Sequence, residues 1–185
     1  MNSKIIIPPG YRSVIIPEGE YGKLLFCDEL LDIQATQRNV LSCEDASFTR
    51  GYALGNEMKT SLLDTSSAGA IMVHIPGNKL LNLREVKYAL KHEFGGGKQL
   101  ACRASEETSK KLHCEYGTLN PFSEFLSSLP QFVSEDLFWV DHSFVGTNAG
   151  TLNRYVKFDP AILHLMKKYT KLVIGSFSKD PGGEQ

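Results

Sequence analysis

Residues 70–75 read Ala-Ile-Met-Val-His-Ile, and the turn sequence Pro76-Gly77-Asn78 follows directly. A short run of apolar and β-branched residues that ends at proline and glycine is typical of a buried β-strand. The histidine inside this run, His74, is expected to be a packing residue whose polar atoms are satisfied. The stretch therefore predicts a strong strand over residues 70–75, closed by the turn at residues 76–78.

Helices are predicted on both sides of this strand. Asn82 and Glu85 have the spacing of a capping box, apolar residues follow at helical intervals, and glycines 95–97 end the pattern. Ser42 precedes two acidic residues, as an N-cap does, and Gly51 limits the helix that follows. Further helices are predicted for residues 21–31, from Ser105 to about Cys114, and after Asp159-Pro160.

The remaining order of elements predicts the fold class. Short strands are predicted at residues 99–103, 138–140, 154–158 and 172–177. Strands and helices interleave irregularly, with no internal repeat or low-complexity linker, which argues against a regular doubly wound sheet and predicts one mixed α+β domain. Within it, residues 1–20 are predicted to form an N-terminal arm or edge strand, residues 21–178 the domain, and residues 179–185 a flexible tail.

Composition limits the classes of function. The chain has 185 residues, of which 42% are hydrophobic, and its 20 basic and 21 acidic residues give a net charge of −1. This excludes a chain with the overall composition of a disordered tail or a collagen-like repeat, and it excludes a basic surface for gripping long nucleic acid. The four cysteines share no C-x-x-C spacing, and no run is apolar enough for a signal peptide or a membrane span. We therefore expect free thiols and a cytoplasmic location.

Several kinds of catalytic motif are missing. The sequence has no G-x-S-x-G nucleophile motif, no glycine-rich phosphate loop and no H-x-x-x-H pair among its five histidines. We therefore expect no metal site and no cofactor. His113 and Cys114 are adjacent, but neighbouring residues on a helix point in different directions, so a half-buried thiol is preferred to a Cys-His nucleophile.

Three small segments are candidates for a site. Met58-Lys59-Thr60 places a lysine next to an apolar strand, although a solvated lysine is the more ordinary interpretation. The loop from Gly117 to Pro121 can present main-chain N–H groups, because glycine allows unusual dihedral angles and proline fixes the exit. Asn148-Ala149-Gly150 follows at a predicted strand edge. Taken singly, the last two segments are more typical of surface turns.

One ordered set of segments runs through the chain: Ser42-Cys43-Glu44-Asp45-Ala46, Arg50-Gly51, Leu54-Gly55, Lys59, residues 70–76, Ala104-Ser105-Glu106-Glu107, Gly117 to Pro121, Phe122-Ser123, Val140-Asp141 and Asn148-Ala149-Gly150. In this order the segments resemble the YbaK family of free-standing aminoacyl-tRNA editing domains, which is related to the editing insertion of bacterial prolyl-tRNA synthetases. The resemblance covers residues 42–158, and residues 49–51, 121–123 and 148–150 are closest to the YeaK-like branch. It implies a single domain with a curved mixed β-sheet or partial barrel flanked by helices.

The resemblance also implies an activity. Enzymes of this kind act in trans and hydrolyse the ester that joins a wrong, small amino acid, such as Ser, Ala or Cys, to the 3′ end of a tRNA. By this resemblance Lys59 is the catalytic cation beside the ester. The implied substrate-binding residues are Gly117, Thr118, Leu119, Asn120 and Pro121 on one wall of the pocket, and Asn148, Ala149 and Gly150 on the other.

The partner that the resemblance implies is the acceptor end of an aminoacylated tRNA, with a synthetase or an elongation factor as a further candidate, and with no DNA and no membrane. Lysines that could contact phosphates lie in three predicted helices, although each group is also typical of a solvated helix face. They are Lys87 and Lys91, Lys110 and Lys111, and Lys167, Lys168 and Lys171.

Two other functions stay open from the sequence. Glu57-Met58 replaces the small residues that the family usually has before its lysine, and this favours a catalytically inactive module that binds a tRNA end or a partner. His142 and residues 124–130 also depart from the family pattern. The second alternative is a cysteine-dependent hydrolase of another ester.

Overall fold

The computed structural model describes residues 15–18, 21–26, 29–114, 117–122, 126–139 and 144–182. In chain order the elements are β1 (Ile15–Glu18), β2 (Tyr21–Phe26), β3 (Glu29–Ala35), α1 (Cys43–Arg50), β4 (Met58–Thr65), β5 (Gly69–Pro76), β6 (Leu80–Leu81), α2 (Leu83–Phe94), β7 (Ala101–Arg103), α3 (Glu106–Lys111), β8 (Gln131–Ser134), β9 (Val145–Asn148), β10 (Arg154–Phe158), β11 (Leu172–Gly175) and β12 (Ser178–Lys179). Short 3₁₀ helices cover Leu54–Asn56, Glu135–Phe138 and Pro160–Lys168.

The strands form two five-stranded sheets and one two-stranded sheet. The first sheet has the order β1-β2-β3-β10-β9 and is antiparallel throughout. The second has the order β11-β8-β5-β4-β7, in which β8 runs parallel to both β5 and β11. Strands β6 and β12 form the small sheet. The prediction of one mixed α+β domain is confirmed, and both large sheets remain open across the described residues.

The predicted strand at residues 70–75 is the centre of the second sheet. It lies within β5, which pairs with β4 on one side and with β8 on the other. Every residue from Ile71 to Pro76 is buried, as expected for a strand covered on both faces. Val86 and Leu90 of α2 pack on one face, while Leu126 packs with Leu62 and Met72 on the other.

The capping residues predicted for two helices form the expected hydrogen bonds. The Ser42 hydroxyl accepts from the main-chain N of Asp45, and the Asn82 side chain accepts from that of Glu85. Gly51 ends α1 with a positive φ of 71°. Asp159 caps the helix that begins at Pro160, which is a 3₁₀ helix. Within the described ranges no helix combines the length and the apolar character needed to cross a bilayer.

Two local predictions are wrong. Residues 21–31 do not form a helix but the strands β2 and β3, which pair Lys23 with Asp32 and Leu24 with Leu31. The spacing of their apolar residues is compatible with a β-hairpin as well as with the apolar face of a helix. Residues 135–138 form a 3₁₀ helix where a strand at 138–140 is predicted, and residue 140 lies outside the described residues.

Both predicted terminal segments contain residues that form strands. Within the predicted N-terminal arm, residues 15–18 form the outer strand of the first sheet, and residues 1–14 and 19–20 lie outside the described residues. At the other end Lys179 still pairs with Leu80. The predicted flexible tail therefore begins inside a strand, and its last part, residues 183–185, is not described.

The two large sheets meet where β4 and β9 begin. Glu57 forms an isolated β-bridge with Gly146, and the Thr147 hydroxyl donates to the main-chain oxygen of Met58 at 3.3 Å. Buried apolar residues of both sheets fill one cluster around this junction, including Met58, Val133 and Val145. The candidate site lies at this junction.

Candidate active site

A cavity of about 270 Å³ opens at the junction of the two sheets, and we call it the loop cavity. Four separate segments of the chain line it: residues 40–44 with Ala46 and Arg50, residues 57–60, Gly117 with Leu119, and Thr147 with Asn148. A second cavity of about 640 Å³, the edge cavity, runs along β4 and is lined by Leu81, Leu83, Ala104 and Cys114 among others. Lys59, Thr60 and Leu119 line both cavities.

Lys59 is the second residue of β4 and is half-buried at the point where the two cavities adjoin. Its Nζ donates to the main-chain oxygen of Lys79 at 2.9 Å, in the turn that follows β5. An ammonium group has three donors, and this bond uses one of them. The bond therefore fixes the position of the charge, and the other donors have no hydrogen-bond partner among the described residues.

The loop that begins at Gly117 is held in shape from within. Asn120 is buried, its Nδ2 donates to the main-chain oxygen of Thr118, and its Oδ1 accepts from the main-chain N of Phe122. Gly117 has a φ of 82°, which favours glycine. Of the five residues predicted to line the pocket, Gly117 and Leu119 line the loop cavity, whereas Thr118, Asn120 and Pro121 do not.

Asn148 joins this loop to the first sheet. Its Nδ2 donates to the main-chain oxygen of Gly117, and its Oδ1 accepts from Arg50 Nη2. Of the three residues predicted to form the other wall of the pocket, only Asn148 lines the loop cavity. Ala149 is buried in the apolar cluster between the sheets, and Gly150 is exposed with a φ of 84°.

A buried ion pair supports this arrangement. Arg50 Nη1 donates to the two carboxylate oxygens of Glu57 at 3.1 and 2.8 Å, and the two side chains are 1% and 3% exposed. The Arg50 guanidinium also lies over the Tyr155 ring, 4.5 Å from its centroid. Burial raises the pKa of the Glu57 carboxyl, and the Arg50 charge opposes that rise. The hydrogen-bonded chain Glu57–Arg50–Asn148–Gly117 thus connects the start of β4 with the loop.

Several residues of the cavity wall could not be predicted from the sequence. Neither the Arg50–Glu57 pair nor Thr60 and Thr147 carries a local signal, because each depends on contacts between distant segments. Cys43 also lines the loop cavity, and burial raises the pKa of its thiol to about 11. In the described part of the chain, no three His, Cys, Asp or Glu side chains form a group that could hold a metal ion.

The edge of β4 is open beside Thr60. Ala104 N donates to Leu62 O on the side of β4 away from β5. In an antiparallel ladder, residues two apart direct N–H and C=O to the same side, so those of Thr60 also point to this edge. Strand β7 pairs with residues 63–65 alone. The main-chain N–H and C=O of Thr60 therefore face the cavities and have no strand partner among the described residues.

Comparison with known proteins relates the fold to solved structures. No protein-family model and no curated protein sequence matches the chain. The crystal structure of "a putative trans-editing enzyme for prolyl tRNA synthetase" matches with a TM-score of 0.66 at 18% identity, over 80% of this chain and 87% of that one. A hypothetical protein matches with a TM-score of 0.63 at 21% identity, over 80% and 91% of the two chains. A scaffold protein used for computational grafting of epitope backbones matches with a TM-score of 0.67 at 16% identity, over 80% and 87%. At these identities the likeness is one of fold, and this chain shares the fold of these three structures.

Proposed function

We propose that this chain is an aminoacyl-tRNA deacylase of the YbaK-like kind, which acts in trans on tRNA charged with a wrong, small amino acid. The observation that carries the proposal is the position of Lys59 in the wall of the loop cavity, together with Gly117, Leu119 and Asn148. The fold shared with the candidate trans-editing enzyme supports the same class of reaction.

The chemistry suits a site without a strong nucleophile. An aminoacyl ester is already labile in water, so positioning and stabilisation of the oxyanion can supply the rate. Lys59 would hold the ester and favour negative charge on the reacting carbonyl oxygen. The attacking water would be activated by the substrate's own amine or 2′-hydroxyl, in a cavity wall where no described residue is a histidine.

The size of the cavity suits a second sieve. A synthetase pocket distinguishes side chains that differ by one methylene group by about 1–3 kcal/mol, so small amino acids escape its discrimination. Leu119 and Met58 are apolar residues in the wall of a cavity of about 270 Å³, and they would limit the size of the side chain that enters. We therefore expect serine or alanine as the cleared amino acid.

The basic face of α2 is the preferred contact for the tRNA backbone. Arg84, Lys87, Lys91 and Lys98 line one shallow depression together with Tyr88 and Glu85, and Arg84 Nε lies 3.8 Å from the Glu85 carboxylate. Lys110 is likewise paired with Glu106, and Lys171 with Glu93, so Lys87, Lys91 and Lys98 are the preferred contacts. With a net charge of −1, we expect weak, salt-sensitive binding of tRNA alone, and a synthetase or elongation factor would supply further affinity.

The structure weakens the arguments for the two alternatives. The Glu57 carboxylate, whose added charge favoured an inactive binding module, is engaged by Arg50. The raised pKa of Cys43 leaves little thiolate at neutral pH, which argues against a cysteine nucleophile in the cavity.

The test is the clearance of mischarged tRNA. The protein is incubated with tRNAs carrying serine, alanine, cysteine or threonine, and the surviving ester is followed over time. We expect clearance of the seryl or alanyl ester faster than in buffer, and a loss of about 100-fold or more for Lys59→Ala. Lys179→Ala serves as the control, because Lys179 lies on β12 and lines neither cavity. If no mischarged tRNA is cleared faster than in buffer, the binding-module function replaces this one.

A further inference from the structure

A buried chain of hydrogen bonds leads from the cavity wall into the second sheet. The Thr60 hydroxyl lies 2.9 Å from Nδ1 of His74, and Nε2 of His74 lies 2.7 Å from Oε1 of Gln131. The Gln131 Nε2 donates to the main-chain oxygens of Leu126 and Leu129 at 2.8 and 2.9 Å. His74 and Gln131 are completely buried.

The direction of this chain is determined at its inner end. Main-chain oxygens can only accept, so the Gln131 amide nitrogen faces them and its oxygen faces His74. Nε2 of His74 must then carry the proton, and Nδ1 is left as an acceptor. Burial lowers the pKa of His74 to about 4, so the ring is neutral near pH 7 and has one N–H. The Thr60 hydroxyl must therefore donate its proton to His74.

This direction determines what Thr60 can offer to a ligand. Its hydroxyl proton is committed to the interior, so toward the cavities the oxygen can only accept. The main-chain carbonyl of Thr60 points to the open edge of β4, as described above, and is a second acceptor on the same residue. Thr60 lines both cavities next to Lys59.

We propose that Thr60 binds the α-ammonium group of the aminoacyl ester, so that the site accepts esters with a free amine and rejects N-acylated ones. This inference rests on the proposed function and defines its substrate class. It leaves activation of the water to the 2′-hydroxyl, because an ammonium group has no free lone pair and cannot accept a proton. An ammonium group carries three donors and a positive charge, so it can use both acceptors of Thr60 together, whereas a ribose hydroxyl or a water brings fewer donors and no charge. N-acylation removes the charge and adds bulk, as in a peptidyl or formylated ester.

One test needs no substrate. The ¹⁵N shifts of the His74 ring in the free protein report which nitrogen carries the proton. We expect a neutral ring with the proton on Nε2 at pH 7. A proton on Nδ1 would reverse the hydrogen bond, make the Thr60 hydroxyl free to donate, and overturn the proposal.

The second test compares substrates. Clearance of seryl-tRNA and of N-acetylseryl-tRNA is measured for the wild type, Thr60→Val and Thr60→Ser. We expect the wild type to prefer the free amine, Thr60→Ser to keep this preference, and Thr60→Val to lose about 10-fold to 100-fold of it, as befits a hydrogen bond to a charged group. Thr65→Val is the matched control, because Thr65 lies on the same strand, donates to Gly69 and lines neither cavity. Equal losses on both substrates in Thr60→Val would assign Thr60 a structural role and overturn the proposal.

A binding measurement separates this inference from the proposed function. Adenosine with a 3′-serylamide is not cleaved, and its affinity is compared with that of its N-acetyl form by calorimetry. Tighter binding of the free amine that is lost in Thr60→Val supports the inference even if no ester is hydrolysed. Clearance of seryl-tRNA without any preference for the free amine overturns the inference and leaves the proposed function in place.

Discussion

Arg50 Nη1 donates to both carboxylate oxygens of Glu57, at 3.1 and 2.8 Å, where the two side chains are almost completely buried. A charged pair in such a position is stable only if its remaining polar atoms find partners. Arg50 meets this demand in part by donating to Asn148 and lying over the Tyr155 ring. The Arg50–Glu57 pair is therefore a structural support of the cavity wall.

The first prediction concerns this pair. Arg50→Met leaves the Glu57 carboxylate buried without its partner, and we expect the free energy of unfolding to fall by about 3–5 kcal/mol, measured by urea denaturation. The double variant Arg50→Met/Glu57→Leu should lose less than the single variant, because no unpaired charge remains. Arg38→Met is the control, since the Arg38–Asp45 pair lies at the surface and solvent screening leaves it a much smaller contribution. Equal losses for Arg50→Met and Arg38→Met would contradict the prediction.

The second prediction concerns the loop. Asn148→Asp keeps an acceptor for Arg50 but replaces the donor to Gly117 O with a negatively charged oxygen. We expect a loss of about 1 kcal/mol in the local stability of the loop, seen as faster hydrogen exchange at residues 117–122. Clearance of seryl-tRNA should fall with it. The exposed Asn153→Asp serves for comparison, and unchanged exchange in Asn148→Asp would show that the bond does not hold the loop.

The third prediction concerns the junction of the sheets. A Cβ added at Gly146 would lie 2.0 Å from Tyr52 Oη and 2.8 Å from Tyr52 Cζ. Gly146→Ala must displace this ring, and we expect it to destabilise the protein by about 1–3 kcal/mol, measured by thermal unfolding. Gly97→Ala should change the midpoint little, because nothing lies within 4 Å of the added Cβ. A second substitution, Tyr52→Leu, should recover part of the loss in Gly146→Ala, and no recovery would argue against the ring as its cause.

The fourth prediction is a dependence of stability on pH. Burial lowers the pKa of His74 from 6.5 to about 4, so the unfolded chain takes up a proton in this range before the folded one does. The neutral ring thus contributes fully above pH 6.5, and about 3 kcal/mol of that contribution is lost as the pH falls to 4. Carboxylates such as Asp64 also titrate in acid, so the measurement compares the slope of unfolding free energy against pH in the wild type and His74→Asn. Identical slopes in the two proteins would show that His74 does not cause the loss of stability in acid.

Local signals explain what the sequence could predict about the fold. The caps at Ser42 and Asn82 act within one helical turn, and the apolar run at residues 70–75 is continuous, so each is readable from a few neighbours. The hairpin of β2 and β3 was missed because its apolar residues fit two periodicities. Strand β4 was missed because three consecutive polar residues, Lys59, Thr60 and Ser61, line the edge cavity and break the alternation expected of a half-buried strand.

The candidate site, like the fold, could be predicted from the sequence only in part. The structure brings Lys59, Gly117, Leu119 and Asn148 around one cavity, while their roles in catalysis stay predictions. The residues that hold them could not be found from the sequence. Arg50 meets Asn148 across 98 positions, and His74 meets Gln131 across 57, and neither pair has a composition or spacing that marks it.

Because Glu57 forms a β-bridge with Gly146, the loop cavity lies between the two large sheets and not within one of them. A small rocking of one sheet against the other would therefore widen or narrow the space beside Lys59 without any change inside either sheet. A ligand that contacts both Lys59 and Asn148 would link the two sheets. Its rate of dissociation would then depend on how rigidly the two sheets are held together.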